Sequence, residues 1–130
     1  MKCLDTDLLV AILRGKQEAR TIVEELDEDG KGATTSVNAF EIYFGANKSE
    51  RKEENVKEAS KLLERLTVFP LDLSSSRNAA EVSAKLSARG ETIDFRDAMI
   101  AAIASQNGLT LVTRNKAHFK RIKDLQIEIW

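Results

Sequence analysis

The sequence predicts an α/β fold with a short, mostly parallel sheet flanked by helices. Three observations point there. Apolar segments of strand length alternate with segments whose apolar residues recur at helical spacing. Residues 109–113 are apolar without alternation, as a strand covered on both faces requires. Residues 97–106 are apolar on nearly every side and rich in small residues, as a buried central helix requires.

Taken in order, residues 2–4 form a short strand that ends at Asp5. Leu8, Leu9, Ile12 and Leu13 then recur at helical spacing, and Gly15 stops that helix. A second helix covers residues 18–26 and ends in the turn-like Asp27-Glu28-Asp29-Gly30. Residues 32–35 fit a short strand. Ser36 caps a helix carrying Val37, Phe40, Ile42, Phe44 and Ala46. Val56, Ala59, Leu62, Leu63 and Leu66 mark a long amphipathic helix. Residues 68–71 form a brief strand, which Pro70 confines to an edge or an end. Ala79, Val82 and Leu86 mark the next helix, closed by Gly90. After the central helix, Asn107-Gly108 leads into the strand at 109–113, and Ile127 and Ile129 belong to a last strand. In parallel sheets ligands bind outside the carboxyl ends of the strands. Asp5 and Thr113 both fall at such ends.

A chain of 130 residues makes one domain, spanning residues 1–130. With 42% apolar and 32% charged residues it is neither a disordered chain nor a membrane protein. No run approaches the roughly 18 apolar residues that span a bilayer. Asp5 interrupts the apolar stretch an export signal needs, and one cysteine makes no internal disulfide, so a reducing, cytoplasmic setting is expected. Lys and Arg total 20 against 21 Asp and Glu, so there is no global basic field, and any nucleic-acid contact must be local.

The placement of the carboxylates is the informative feature. Asp5 is the first residue past strand one. Glu41 lies within Phe40-Glu41-Ile42-Tyr43-Phe44, among bulky apolar neighbours that leave it little exposure. Asp97 opens the buried helix, and Asp94 lies one turn before it. Burying carboxylates is costly, and like charges raise each other's pKa. Such a cluster at a strand-end crevice calls for a cation, and a hard divalent ion, Mg²⁺ or Mn²⁺, suits oxygen ligands. Each acid also has a plainer role open to it. Asp5 and Asp97 could cap their helices, and Glu41 could face solvent on a helix rotated from this phase.

Arg114, Lys116, Lys120, Arg121 and Lys123 place five cations within ten residues of chain, as a phosphate-gripping patch or a solvated helix face. Arg14 follows the first helix and could reach a phosphate or a partner's carboxylate. The acidic run Glu24-Glu25-Leu26-Asp27-Glu28-Asp29-Gly30 lacks the spacing and closing glutamate of a calcium loop and reads as a solvated turn. Cys3 and His118 read as structural residues, and Trp130 as a cover for the core edge.

The motifs together resemble one family. Leu4-Asp5-Thr6-Asp7-Leu8-Leu9-Val10, followed by Leu13-Arg14-Gly15, is similar to the opening of PIN-domain ribonucleases. Ser36-Val37-Asn38-Ala39-Phe40-Glu41-Ile42-Tyr43-Phe44-Gly45-Ala46 resembles their second motif. Asp97-Ala98-Met99-Ile100-Ala101-Ala102 resembles the third, and Leu109-Thr110-Leu111-Val112-Thr113-Arg114-Asn115 with His118-Phe119 the fourth. Any one is weak, but four in order over essentially the whole chain are strong. The branch most resembled is the VapC-type toxin of toxin–antitoxin pairs. The resemblance implies a three-layer PIN-like fold and Mg²⁺- or Mn²⁺-dependent hydrolysis of RNA. It implies Asp5, Glu41 and Asp97 as the core acids and Thr113 as their support. Arg14, Arg114 and Lys116 become candidate RNA contacts. A VapB-like antitoxin and a homodimer are the implied partners, with no membrane. A fourth acid often follows the last motif strand in this family. Asn115 stands there instead, and Asp94 is an additional acid where many relatives have glycine.

The physical chemistry agrees with hydrolysis at a metal site. No serine–histidine or cysteine–histidine nucleophile pair is evident, and a metal can activate water without a protein base. Two other readings compete. One is a catalytically inactive PIN-fold interaction module, which the missing fourth acid favours and the three retained acids disfavour. The other is a phospho-receiver, which Pro70-Leu71-Asp72 and the last strand fit poorly.

Overall fold

The structure is a computed structural model that describes residues 1–30 and 32–130. Its strands and helices are, in chain order, β1 (Lys2–Leu4), α1 (Thr6–Leu13), α2 (Gln17–Asp29), β2 (Gly32–Thr35), α3 (Ser36–Lys48) and α4 (Lys52–Glu64). There follow β3 (Thr67–Phe69), α5 (Leu73–Ala88), α6 (Phe95–Gln106), β4 (Thr110–Thr113), α7 (Lys116–Phe119) and β5 (Gln126–Ile129). The sheet order is β3-β2-β1-β4-β5, and every pairing is parallel. The strand carrying Pro70 at its exit is indeed an edge.

Alternation along each strand builds three layers. Cys3 and Leu111 face a cluster with Ile100, Ala101, Ala104 and Phe119 from α6 and α7. Leu4 and Val112 face the other way, into Leu8, Leu9, Ile42, Ala59 and Leu62 from α1, α3 and α4. Both faces of β1 and β4 are therefore dry, which explains why 109–113 shows no polar alternation. Helix α6 buries Ala98 and every residue from Ile100 to Ala104, as its all-round apolarity predicts.

Local details differ from the sequence reading where competing caps or packing decide. Thr35, not Ser36, caps α3, because its hydroxyl accepts from the Asn38 amide. Ser36 Oγ instead accepts from the Leu71 amide just past β3. Helix α2 continues through the predicted acidic turn to Asp29 and is closed by Gly30 at φ 62°. Helix α3 buries Asn38, Ile42 and Ala46 while Phe40 and Phe44 stay about half exposed and stack on each other, so the apolar stripe is not all core. The helix face open to residues 114–123 is realised only as the short α7. Among the described residues, no helix is long and apolar enough to cross a membrane.

The strand order places a switch point beside the first strand. From β1 the chain pairs outward to β2 and β3 on one side, and it later returns to β4 and β5 on the other. A crevice at the carboxyl ends of β1 and β4 follows from that reversal.

Candidate functional site

Asp5 stands at the switch point and is 4% exposed. Its Oδ1 accepts from the Thr6 amide (2.9 Å) and from Asn38 Nδ2 (3.1 Å), and its Oδ2 accepts from Thr113 Oγ1 (2.6 Å). It is thus both the α1 cap and a fixed acid of the crevice. Thr113 lies at the carboxyl end of β4, and its hydroxyl in turn accepts from the Asn115 amide (3.0 Å). The Asn115 contribution is this backbone contact.

Asn38 carries the network across to α3. Its Nδ2 also donates to Thr6 Oγ1 (2.9 Å), and Thr6 Oγ1 donates to Glu41 Oε1 (3.0 Å). Arg96 Nη1 lies 3.5 Å from Glu41 Oε2, while Nε and Nη2 of the same guanidinium donate to Asp94. Asp94 caps α6, so Asp97 is free of that duty. Asp97 sits in the first turn, with its Oδ2 3.4 Å from His118 Nδ1. Asn38, Thr6, Arg96 and His118 had escaped the sequence reading as site residues. The Thr35-x-x-Asn38 spacing held a detectable signal, while the other three contacts join segments remote in sequence.

The charges report a crowded, partly dry acid cluster. Burial pushes the Asp5 carboxyl up to about 6, with Asp7 and Asp97 adding repulsion against the Thr113 and Thr6 hydrogen bonds. Burial also raises Glu41, opposed by Thr6 and Arg96 and reinforced by Asp97 and Asp94. Asp97 is raised by burial and by Asp94, with His118 and Arg96 pulling the other way. Asp94 is held low chiefly by its hydrogen bond to Arg96. Oxygen donors that repel one another suit a hard cation in kind. Among the described residues, no three Asp, Glu, His or Cys side chains close on one point as a finished metal site.

The predicted cations are spread around the crevice. Arg14 lines two cavities. One, of about 500 Å³, also has Glu41, Ile42 and Ala46 in its wall, and the other, of about 330 Å³, has Asp7, Arg114 and Trp130. Arg114 lies over the Trp130 ring at 3.7 Å and pairs with Glu18 at 2.6 Å, so its charge is partly neutralised. Lys116 is exposed at the start of α7. Trp130 covers an edge of the core and donates to Asp7 Oδ1 (3.2 Å).

Comparison with known proteins bears on this arrangement. The sequence matches the PIN domain family over residues 2–125. It is 32% identical over 128 residues to ribonuclease VapC2 of Haemophilus influenzae, covering 98% of this chain and 96% of that protein. It is 29% identical over 127 residues to the tRNA(fMet)-specific endonuclease VapC of Shigella flexneri, covering 98% and 96%. The fold superposes on a chain of the crystal structure of VapBC2 from Rickettsia felis bound to a DNA fragment from their promoter. That match has a TM-score of 0.90 and 28% identity, and covers 99% of this chain and 98% of the other.

Proposed function

The chain belongs to the PIN domain family, and from that premise we propose that it is a metal-dependent endoribonuclease and the toxin of a toxin–antitoxin pair. The observation that supports this reading is the placement of Asp5 at the carboxyl end of β1, with Asp97 near enough to raise the pKa of both Asp5 and Glu41. Full-length similarity to VapC ribonucleases supports it from outside the site. The VapBC complexes of like fold support a VapB-like antitoxin as partner. The substrate is RNA, the setting cytoplasmic, and the assembly a homodimer joined through the exposed Phe40–Phe44 face of α3.

Asp5, Glu41 and Asp97 would hold Mg²⁺ or Mn²⁺. When bound, such an ion activates water and offsets charge growing on the phosphoryl oxygens. The chain's own residues hold the acids for that task. Thr113, Asn38 and the Thr6 amide use up the Asp5 hydrogen-bonding positions on the protein side and fix its plane. Thr6 sets one Glu41 oxygen. His118 beside Asp97 is placed to give or take a proton at its Nδ1. Arg14, Arg114 and Lys116 offer phosphate contacts around the crevice. Asp94, tied to Arg96, orients that side chain.

The test is cleavage of total bacterial RNA by the purified chain with Mn²⁺, beside Asp97→Asn. The wild type should cut and lose activity in excess EDTA. The variant should be inactive yet melt within a few degrees of wild type, because Asp94 and not Asp97 caps α6. A variant that cuts at the wild-type rate, or wild-type cleavage that survives EDTA, overturns the reading. A folded wild type that binds RNA without cutting it would instead mark an inactive interaction module.

A further inference from the structure

Among the described residues, Arg96 is the one arginine or lysine whose side chain pairs with Glu41 or Asp94, and the mode of its attachment is informative. Two of its three nitrogens are committed to Asp94. Nε donates to Oδ1 (3.2 Å) and Nη2 to Oδ2 (3.1 Å), a two-pronged grip along one edge of the guanidinium. The Arg96 amide donates to the same carboxylate (2.8 Å), so the holder is itself fixed as the helix cap. The remaining Nη1 turns the other edge toward Glu41, at a looser 3.5 Å. The Arg96 side chain is 53% exposed, against 22% for Glu41. A planar fork anchored along one edge presents the other edge in a set direction, which a lysine cannot do.

We propose that Arg96 is an RNA-phosphate-binding residue of the crevice, oriented by Asp94 and paired with Glu41 while no substrate or metal is present. The proposal rests on the ribonuclease reading above. The physical need is plain. Asp5, Glu41, Asp97 and Asp94 surround the crevice with like charge that repels a phosphodiester. With Glu41 given over to a metal ion, its hold on Nη1 would weaken. The Asp94 grip keeps the arginine at the rim. Its freed edge then faces the crevice, where a phosphate can accept from it. The same exchange makes Arg96 a competitor of the metal for Glu41 in the free protein.

Arg96→Gln and Arg96→Lys test this, with thermal melting to verify folding. Phosphate contacts are independent of sequence, so a labelled single-stranded RNA of mixed sequence serves as probe. Its binding is followed by anisotropy with Ca²⁺ in place of the catalytic ion, with intact probe verified on a gel. Arg96→Gln should weaken binding about five- to tenfold and flatten the dependence of log K on log salt by about 0.7, one phosphate contact on a single strand. Arg96→Lys should keep the salt slope and lose part of the affinity. Isothermal titration with Mn²⁺ and no RNA should show Arg96→Gln binding the ion several-fold more tightly than wild type. Wild-type RNA affinity and salt slope in Arg96→Gln would overturn the phosphate role, and unchanged Mn²⁺ affinity would overturn the pairing with Glu41. Failure of the wild type to cleave total RNA with Mn²⁺ would sink the ribonuclease reading instead, so the two failures are distinguishable.

Discussion

Asn38 is fully buried and commits its whole amide to the crevice. Its Oδ1 accepts from Thr35, and its Nδ2 donates to both Asp5 and Thr6. Through these bonds it couples the carboxyl ends of β1 and β2 to Glu41. Asn38→Ala would remove one hydrogen bond from each of Thr35, Asp5 and Thr6 and leave a small void. The expected cost is about 2–3 kcal/mol in stability, from unsatisfied buried groups and lost packing. Cleavage should fall at least tenfold, because Asp5 and Thr6 lose a common anchor. Urea unfolding checks the first outcome, and initial rates at saturating Mn²⁺ the second. Asn38→Asp is the sharper comparison: it keeps the size but buries another negative charge against Asp5, and should cost more stability without metal than alanine does.

At the scale of elements, β2 is held close to α2 and the end of α4 by a glycine. A Cβ on Gly32 would lie 2.7 Å from Leu66 Cδ2 and 3.3 Å from Leu26 Cδ2. Both neighbours are tips of flexible side chains, so alanine needs only a small leucine adjustment. Valine adds two methyl groups to a space already full. Gly32→Val should therefore destabilise by about 1–3 kcal/mol, with Gly32→Ala much milder. A urea midpoint lowered by roughly 0.5–1.5 M at unchanged slope would register the valine effect. Helix α3 is divided between two tasks. Ile42 and Ala46 pack inward, Glu41 reaches the crevice, and Phe40 and Phe44 stand on the outer side with Lys48 over the Phe44 ring.

For the whole molecule, that outer face predicts self-association. Sedimentation at micromolar concentration should give a dimer, and Phe40→Glu with Phe44→Glu a folded monomer; a wild-type monomer counts against the homodimer. Two-fold pairing is the usual outcome when one patch meets its own copy. The acid cluster predicts a pH dependence of opposite sign to ordinary acid unfolding. Burial pushes the Asp5 carboxyl from its ordinary 3.8 up to about 6 in the folded chain, so between these values the folded state holds a proton that the unfolded chain has lost. Stability without metal falls as pH rises through that window, by on the order of 3 kcal/mol from Asp5. Glu41 and Asp97 shift in the same direction. Asp72 and Asp94 shift downward and stay ionised in both states above about pH 5, so they do not oppose it there. The metal-free protein should melt higher at pH 5 than at pH 8. Mn²⁺ should raise the melting temperature more at pH 8, because ligand binding and proton release are linked. Equal melting temperatures at the two pH values, with and without Mn²⁺, would contradict this.

Local pattern determined much of this protein. Strand and helix periods are written in adjacent residues, so the layered α/β fold, the edge position of the Pro70 strand and the buried α6 were all legible. The acids Asp5, Glu41 and Asp97 were legible as candidates because each falls where a strand ends or an apolar helix carries a charge. Tertiary structure decided what meets them. The pairing of Arg96 with Glu41, of His118 with Asp97, and of Trp130 with Asp7 joins residues tens to more than a hundred positions apart. Such meetings depend on how each helix is rotated about its axis and how closely it approaches the sheet. A rotation of one residue, about 100°, would have exchanged Phe40 with Glu41, and the packing of Ile42 against α1 and α4, with Asn38 and Ala46 also buried, selects the phase.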